Sequence, residues 1–263
     1  MAPLGQAAGP VARRGLLGFL LALAVASPVA TAEVDHSAWD ELLRRHVSSE
    51  GLVDYAAVQQ ERQALERYLA VLRDVTPGAL GSAHERLAFW INAYNACVFK
   101  GVLDHSPLTS VKDVPGFFDK LTHQVGGETL TLNQMEGKGR ALGDWRIHCA
   151  VVCASSSCPF LRREAYVPDR LDDQLADQVT RFLADPSRGL RVEQAAGVVW
   201  VSKIFKWYAK DFVPSGSITA ETLLPLLAPF LPDPALPKTA VETHLTVKFM
   251  NYDWTLNERR RAP

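Results

Sequence analysis

The spacing of apolar residues along the chain changes several times, and each spacing predicts an element. Between residues 59 and 72, Leu65, Leu69 and Leu72 fall on one stripe, which predicts an amphipathic helix ended by Pro77-Gly78. A shorter surface helix is expected over residues 38–46. The stretch RLAFWINAYNACVFKGVL, within residues 83–103, is apolar nearly all round, so its helix is expected to be buried on most sides and central to the fold. LTHQVGGETLTL alternates on either side of Gly126-Gly127 and reads as a hairpin, with Asn133 as N-cap of the short helix that follows. RIHCAVVC, residues 146–153, reads as a buried strand. Residues 169–184 place Leu171, Leu175, Val179 and Phe182 on one helical face, with acids and glutamines opposite facing solvent.

A second hairpin, LRVEQAAGVVWVS, turns at Ala196-Gly197, and Ser202 can cap a helix over KIFKWYAKDF. ETLLPLLAPFL forms one more helix, interrupted by Pro225, before a last strand over residues 246–252. Hairpins and helices interleave without repeated βαβ units. The expected class is therefore α+β, an antiparallel sheet packed against the buried central helix and its surrounding helices.

The amino terminus changes the picture of where the domain starts. Arg13 and Arg14 precede the apolar run LLGFLLALAV, and Ala30, Thr31 and Ala32 supply a small-residue cleavage site. The apolar run is about half of the ~20 residues that span a bilayer. Residues 1–32 thus read as a secretory signal peptide, by the general or the twin-arginine route, and residues 33–263 as a single globular domain, periplasmic or secreted, with no integral membrane segment after cleavage. Loss of two arginines from 28 basic residues leaves 26 against 29 acidic ones, a formal charge of −3. That charge offers no electrostatic footprint for nucleic acid.

Candidate chemistry concentrates in two places. Asn92 and Asn95, three apart on the buried helix, share a side; they either latch the backbone of a neighbouring loop or line a polar site. The window IHCAVVCASSSCPF holds His148, Cys149, Cys153 and Cys158. On a regular strand His148 and Cys153 point to opposite faces about 17 Å apart and cannot form a dyad. Cys158 is better placed: the ASSS loop can fold back toward His148, and Pro159 suits a first helical turn, whose N-terminus lowers a thiol pKa. Cys158 is then a candidate nucleophile and His148 its base, with Asn92 or Asp211 as orienting group. The competing reading is a disulfide, Cys153 with Cys158 or Cys97 with Cys149, as expected in an exported protein with an even cysteine count. Histidine and cysteine spacing gives no metal site, and no cofactor is expected. Lys203, Trp207, Tyr208 and Asp211, with Tyr252, Asp253 and Trp254 near the end of the chain, either anchor the terminus in the core or wall a pocket.

Five ordered segments, FWINAYNA, GGETLTLNQME, RIHCAVVCASSSCPFLRREAY, SKIFKWYAKDF and YDWTLN, resemble the domain of unknown function family 547 over about residues 85–257. The resemblance implies that Asn92, Asn95, His148, Cys153 and Cys158 are the family's motif residues. Cys149 stands where other members more often have an aromatic residue, which marks it as a packing choice. A buried helix, an antiparallel sheet and a Cys/His pair are also similar to papain-like or transglutaminase-like folds, an analogy of fold alone. The expectation is a thiol-dependent hydrolase or acyl transferase of the cell envelope, acting on an envelope substrate or protein partner through Cys158 or Cys153 with His148. The alternatives are a binding or scaffold domain with structural disulfides, or a thiol redox protein.

Overall fold

A computed structural model of the chain describes Gly9 and residues 34–259. The leader expected over residues 1–32 lies, but for Gly9, outside the described residues. The chain divides at Ala30/Thr31, and residues 34–259 belong to the second unit.

Helices α1 (Ser37–His46), α2 (Tyr55–Gln60) and α3 (Arg62–Asp74) pack around α4 (Ala83–His105). The expected helix over residues 59–72 is two helices, broken at Glu61, whose backbone is non-helical. The first helix is less superficial than expected: Trp39, Leu42, Leu43 and His46 recur at helical spacing and are buried. Trp39 stacks on Tyr68 of α3 at 5.7 Å and meets Phe99 of α4 edge-on at 5.0 Å. α4 starts at a capping box between Ser82 and Glu85. From Leu87 to Leu103 only Lys100 is not buried, so α4 is the central helix its apolar pattern predicted.

The first hairpin pairs β1 (Thr122–Val125) with β2 (Glu128–Thr131), His123 opposite Leu130. Gly126 and Gly127 both have positive φ, +65° and +75°, the conformation a two-residue hairpin turn requires. Their N–H groups donate to the Leu72 and Arg73 carbonyls and so dock the turn on the end of α3. Helix α5 (Leu132–Arg140) is capped by Thr131 in a box with Gln134, two residues before the expected cap Asn133.

The largest departure lies at residues 146–153. Instead of a strand, Trp145–Cys149 winds as a 3₁₀ turn, started by the Asp144 carboxylate accepting from the Arg146 N–H at 2.9 Å. The polar backbone of the next residues is taken by a side chain: Asn95 donates to the Ala150 carbonyl at 3.0 Å and accepts from Val152 N–H at 2.9 Å. Asn92 treats Tyr166 alike, donating to its carbonyl at 2.7 Å and accepting from its N–H at 3.0 Å. The segment is apolar because it is buried, not because it pairs in a sheet.

Helix α6 (Leu171–Ala184) buries its apolar face as expected, yet its glutamines are not solvated. Gln174 donates to the Ala165 carbonyl and accepts from Val167 N–H, and Gln178 donates to the Phe160 carbonyl. Both amides fasten the chain leading into the helix. β3 (Leu190–Glu193) and β4 (Val198–Val201) form the second hairpin. KIFKWYAKDF breaks at Tyr208 into α7 (Ile204–Trp207) and α8 (Ala209–Phe212), with the Ser202 hydroxyl accepting from Ile204 N–H at 3.4 Å. α9 (Ala220–Leu227) includes Pro225, and α10 (Leu236–Glu242) follows without having been expected.

β5 (Thr246–Phe249) then pairs parallel to β4, so the three-stranded sheet β3-β4-β5 is mixed rather than antiparallel. The helical crossover between β4 and β5 is what a parallel pairing needs. The chain is α+β: the first hairpin adds Val125 and Leu130 to the apolar cluster around α4, and β4 adds Val199 and Val201 to a second buried cluster with α6, α9 and α10. Among the described residues no helix is long and apolar enough to cross a membrane.

Candidate functional site

The carboxyl-terminal tail and the cysteine loop zip together to make the site. Ser156 and Ser157 N–H groups donate to the Thr255 and Asp253 carbonyls, and the Asn257 N–H donates to the Ala154 carbonyl. Ala154 takes a left-handed φ of +61°, which bends the loop between Cys153 and Ser155. The bend brings Cys158 back onto Cys153, with their sulfurs 2.8 Å apart. No helix starts at Pro159, so the expected helix terminus is not what acts on Cys158. Hydrogen-bond donors act instead. Cys153 N–H donates to the Cys158 sulfur at 3.0 Å and the Tyr252 hydroxyl donates at 3.3 Å. Ser155 in turn donates to the Tyr252 oxygen at 3.0 Å.

All four cysteines are free thiols. Burial pushes Cys158 up, but hydrogen bonds from the Cys153 thiol, the Tyr252 hydroxyl and the Cys153 N–H together outweigh it and bring Cys158 down to about 7. Cys153 moves the other way: burial first, and the neighbouring Cys158 second, hold it well above the ordinary thiol value. The pair thus divides into one thiolate and one thiol near neutral pH. Cys97 and Cys149 are buried in different apolar clusters, which gives no support to their expected pairing, and burial pushes both thiols up.

His148 lies 2 % exposed on the wall of the same cavity, a space of about 440 Å³ that Cys153 and Cys158 also line. Its Nε2 is 2.8 Å from Asp211 Oδ2. Arg140 is bonded to both Asp211 oxygens and, with His148 as the smaller influence and against burial, which pushes the group up, holds that carboxyl down at about 2. Burial lowers His148 to about 4 in spite of Asp211, so the ring is neutral at pH 7. A carboxylate only accepts, which places the proton on Nε2 and leaves Nδ1 as a lone pair. Among the described residues Nδ1 has no hydrogen-bond partner; Glu136 Oε1 stands 3.9 Å away, itself unpartnered. Burial raises Glu136, partly offset by a hydrogen bond from Tyr208. Tyr208 stacks on His148 at 4.1 Å.

The predicted residues therefore meet only in part. Cys153, Cys158 and His148 share one cavity, and Asp211 orients His148. Neither ring nitrogen of His148 bonds to a cysteine. Asn92 spends both ends of its amide on Tyr166. The aromatic residues form the walls: Trp207, Tyr252 and Trp254 cluster with centroids 4.7 to 5.8 Å apart, Trp207 is 46 % exposed, and Lys112 lies over Trp254 at 4.5 Å. Glu136 was missed by sequence reasoning. Its signal was there: with Leu132, Met135 and Gly139 it occupies the buried stripe of α5, an acid at an apolar position. No group of acidic, histidine or cysteine side chains suited to a metal ion occurs among the described residues.

Residues 79–183 match the family described as Protein of unknown function, DUF547. Over that stretch the chain is similar to DUF547. The match takes in α4 through most of α6, and with them Asn95, Glu136, His148, Cys153 and Cys158; Asp211 and Tyr252 lie outside it. No curated protein and no solved structure matches the chain.

The titration of the cysteine pair is directly measurable. The rate of iodoacetamide labelling of the reduced native protein is expected to rise through a midpoint near pH 7 and flatten above about pH 8, because the thiolate is the reacting form. Tyr252→Phe removes one hydroxyl donor and should move the midpoint up by roughly 0.5–1 unit, the equivalent of about 1 kcal/mol. A midpoint above 8.5 in the unsubstituted protein would contradict this picture of the site.

Proposed function

We propose that this chain is a thiol–disulfide exchange protein in which Cys158 is the attacking thiolate and Cys153 the resolving thiol. The observation that carries the reading is the 2.8 Å approach of two free sulfurs with oppositely displaced titrations. Their separation is only about 0.8 Å more than a disulfide bond, so closing the bond needs little backbone movement. In the forward direction the Cys158 thiolate attacks one sulfur of a substrate disulfide, and the first substrate thiolate leaves. Cys153 then attacks Cys158 in the mixed disulfide, releasing the second thiolate, which takes up the Cys153 proton. Two electrons pass from the dithiol to the substrate, and one intramolecular disulfide is left. The aromatic walls and Lys112 suit a thiol compound with an apolar or ring portion and an anionic group.

A thiol-dependent hydrolase or acyl transferase is the second reading, favoured by one observation: the His148–Asp211 pair lines the cavity of Cys158. Both readings include export, with residues 1–32 as a cleaved leader and the domain working in the periplasm or outside the cell. Amino-terminal sequencing of protein recovered from that compartment should start near Glu33.

The test of exchange is equilibration of the reduced protein in glutathione buffers of graded potential, followed by acid quenching and intact mass measurement. A reversible loss of two hydrogens, mapped by peptide analysis to Cys153 and Cys158, is expected. Failure to form the bond in fully oxidised glutathione, or a bond that excess dithiothreitol does not open in the native protein, defeats the reading. Cys153→Ser separates the alternatives: it should trap a mixed disulfide and stop turnover in exchange, but leave hydrolysis of an activated ester intact in a hydrolase.

A further inference from the structure

A second cavity of about 270 Å³, lined by Arg44, Ser49, Arg162, Arg163, Glu164 and Arg181, collects four arginines and one acid. It is built from the end of α1, the segment before α6, and α6 itself, and shares no lining residue with the thiol cavity. Two of the arginines are already neutralised. Arg44 bonds to Asp40 at 2.6 Å; Arg162 bonds to Glu164 at 2.8 Å and to Asp177. The other two are not: among the described residues Arg163 and Arg181 have no carboxylate within ion-pair distance.

Both guanidinium groups are nonetheless held. Arg163 Nη2 donates to the Arg44 carbonyl at 3.0 Å, and Arg181 Nη2 donates to the Ser49 carbonyl at 2.8 Å. Arg181 also lies over the Phe160 ring at 5.3 Å, with Arg188 over the same ring at 4.4 Å. A guanidinium carries five N–H donors in a rigid fork, and one backbone carbonyl satisfies only one of them. Arg163 and Arg181, each with donors to spare and no carboxylate partner among the described residues, line the same concave site.

We propose that this cavity binds a phosphate monoester through Arg163 and Arg181. The dianion matches the two uncompensated charges, its oxygens accept from both forks in the bidentate way that arginine favours, and the volume leaves room for the organic group that bears the phosphate. Such a group is carried by a small soluble ester or by a lipid headgroup, and the chemistry at the arginines is the same for both.

The experiment uses the intact domain at 150 mM salt. Glycerol 3-phosphate is titrated by calorimetry, and sedimentation is measured with phosphatidylcholine vesicles with and without phosphatidic acid. Saturable binding in either arm is expected, the first identifying a soluble ligand and the second a headgroup. Arg163→Gln with Arg181→Gln should weaken that binding at least 10-fold. The charge-matched control Arg67→Gln with Arg73→Gln, at exposed positions outside the cavity, should change it less than 2-fold. In the unsubstituted protein, the bound ester should also slow phenylglyoxal modification of Arg163 and Arg181, a readout that does not depend on how the variant folds. Absence of binding in both arms, equal loss in the control, or no protection of these two arginines overturns the proposal.

Discussion

Cys158→Ser is expected to remove the fast thiol of the native protein and, with it, the intramolecular disulfide. At pH 7 a group titrating near 7 is about half ionised, whereas a thiol that burial holds above the ordinary value is ionised to less than about 1 %, so the labelling rate should fall at least about 50-fold. The residual rate belongs to Cys153. Cys97 and Cys149 are 0 % and 1 % exposed and both pushed upward, so they contribute nothing until the protein unfolds. His148→Ala discriminates further. No hydrogen bond joins His148 to either sulfur, and the neutral ring does not stabilise the thiolate by charge. Labelling should therefore change less than about 3-fold, while any activity that needs a general base at Nδ1 should fall by the 10²-fold or more typical of such groups. A large drop in labelling in His148→Ala would show an ion pair that the resting geometry lacks. Stopped-flow labelling with mass mapping of the modified cysteine reads both results.

Much of this site was visible in the residues and little of it in their spacing. Cys153, Cys158, His148 and even Asp211 as the partner of His148 are legible because such residue types are rare and concentrated. Their geometry was misread for one reason: an apolar run of eight residues satisfies a strand and a buried irregular segment equally well, and periodicity does not separate them. A regular strand rises about 3.3 Å per residue and a 3₁₀ turn about 2.0 Å. The 3₁₀ turn at Trp145–Cys149 shortens the path and frees it from strict alternation, and His148 and Cys153 reach one cavity. The central helix and both hairpins were read correctly because each rests on a local signal, an all-round apolar surface or a glycine turn. Parallel pairing of β5, burial of Gln174 and Gln178, and donation from Tyr252 to Cys158 all depend on contacts between distant segments, which no local pattern encodes.

Asn95→Ala should destabilise the domain by about 3–5 kcal/mol and also disturb the thiol site, a combination that Asn92→Ala should not show. Asn95 is 2 % exposed and satisfies the Ala150 carbonyl and the Val152 N–H at once. Removing it leaves two buried backbone groups without partners, at about 1–3 kcal/mol each, and a small void beside them. For a domain of this size each kcal/mol lowers the melting temperature by roughly 2–4 °C, so a fall of about 10 °C is expected in a thermal scan. Asn92→Ala orphans two groups of Tyr166 by the same arithmetic and should melt comparably early. The difference lies in what each amide holds. Val152 is adjacent to Cys153, whose N–H is one of the donors that lower Cys158. Loosening residues 150–152 lets that donor move away, and the labelling midpoint should shift up by about half a unit in Asn95→Ala while staying near 7 in Asn92→Ala. Equal midpoints in the two variants, both measured well below their melting temperatures, would mean that the cysteine loop is held by its pairing with the tail alone. That pairing, Ser156 to Thr255 and Ser157 to Asp253, would then be the support to cut next.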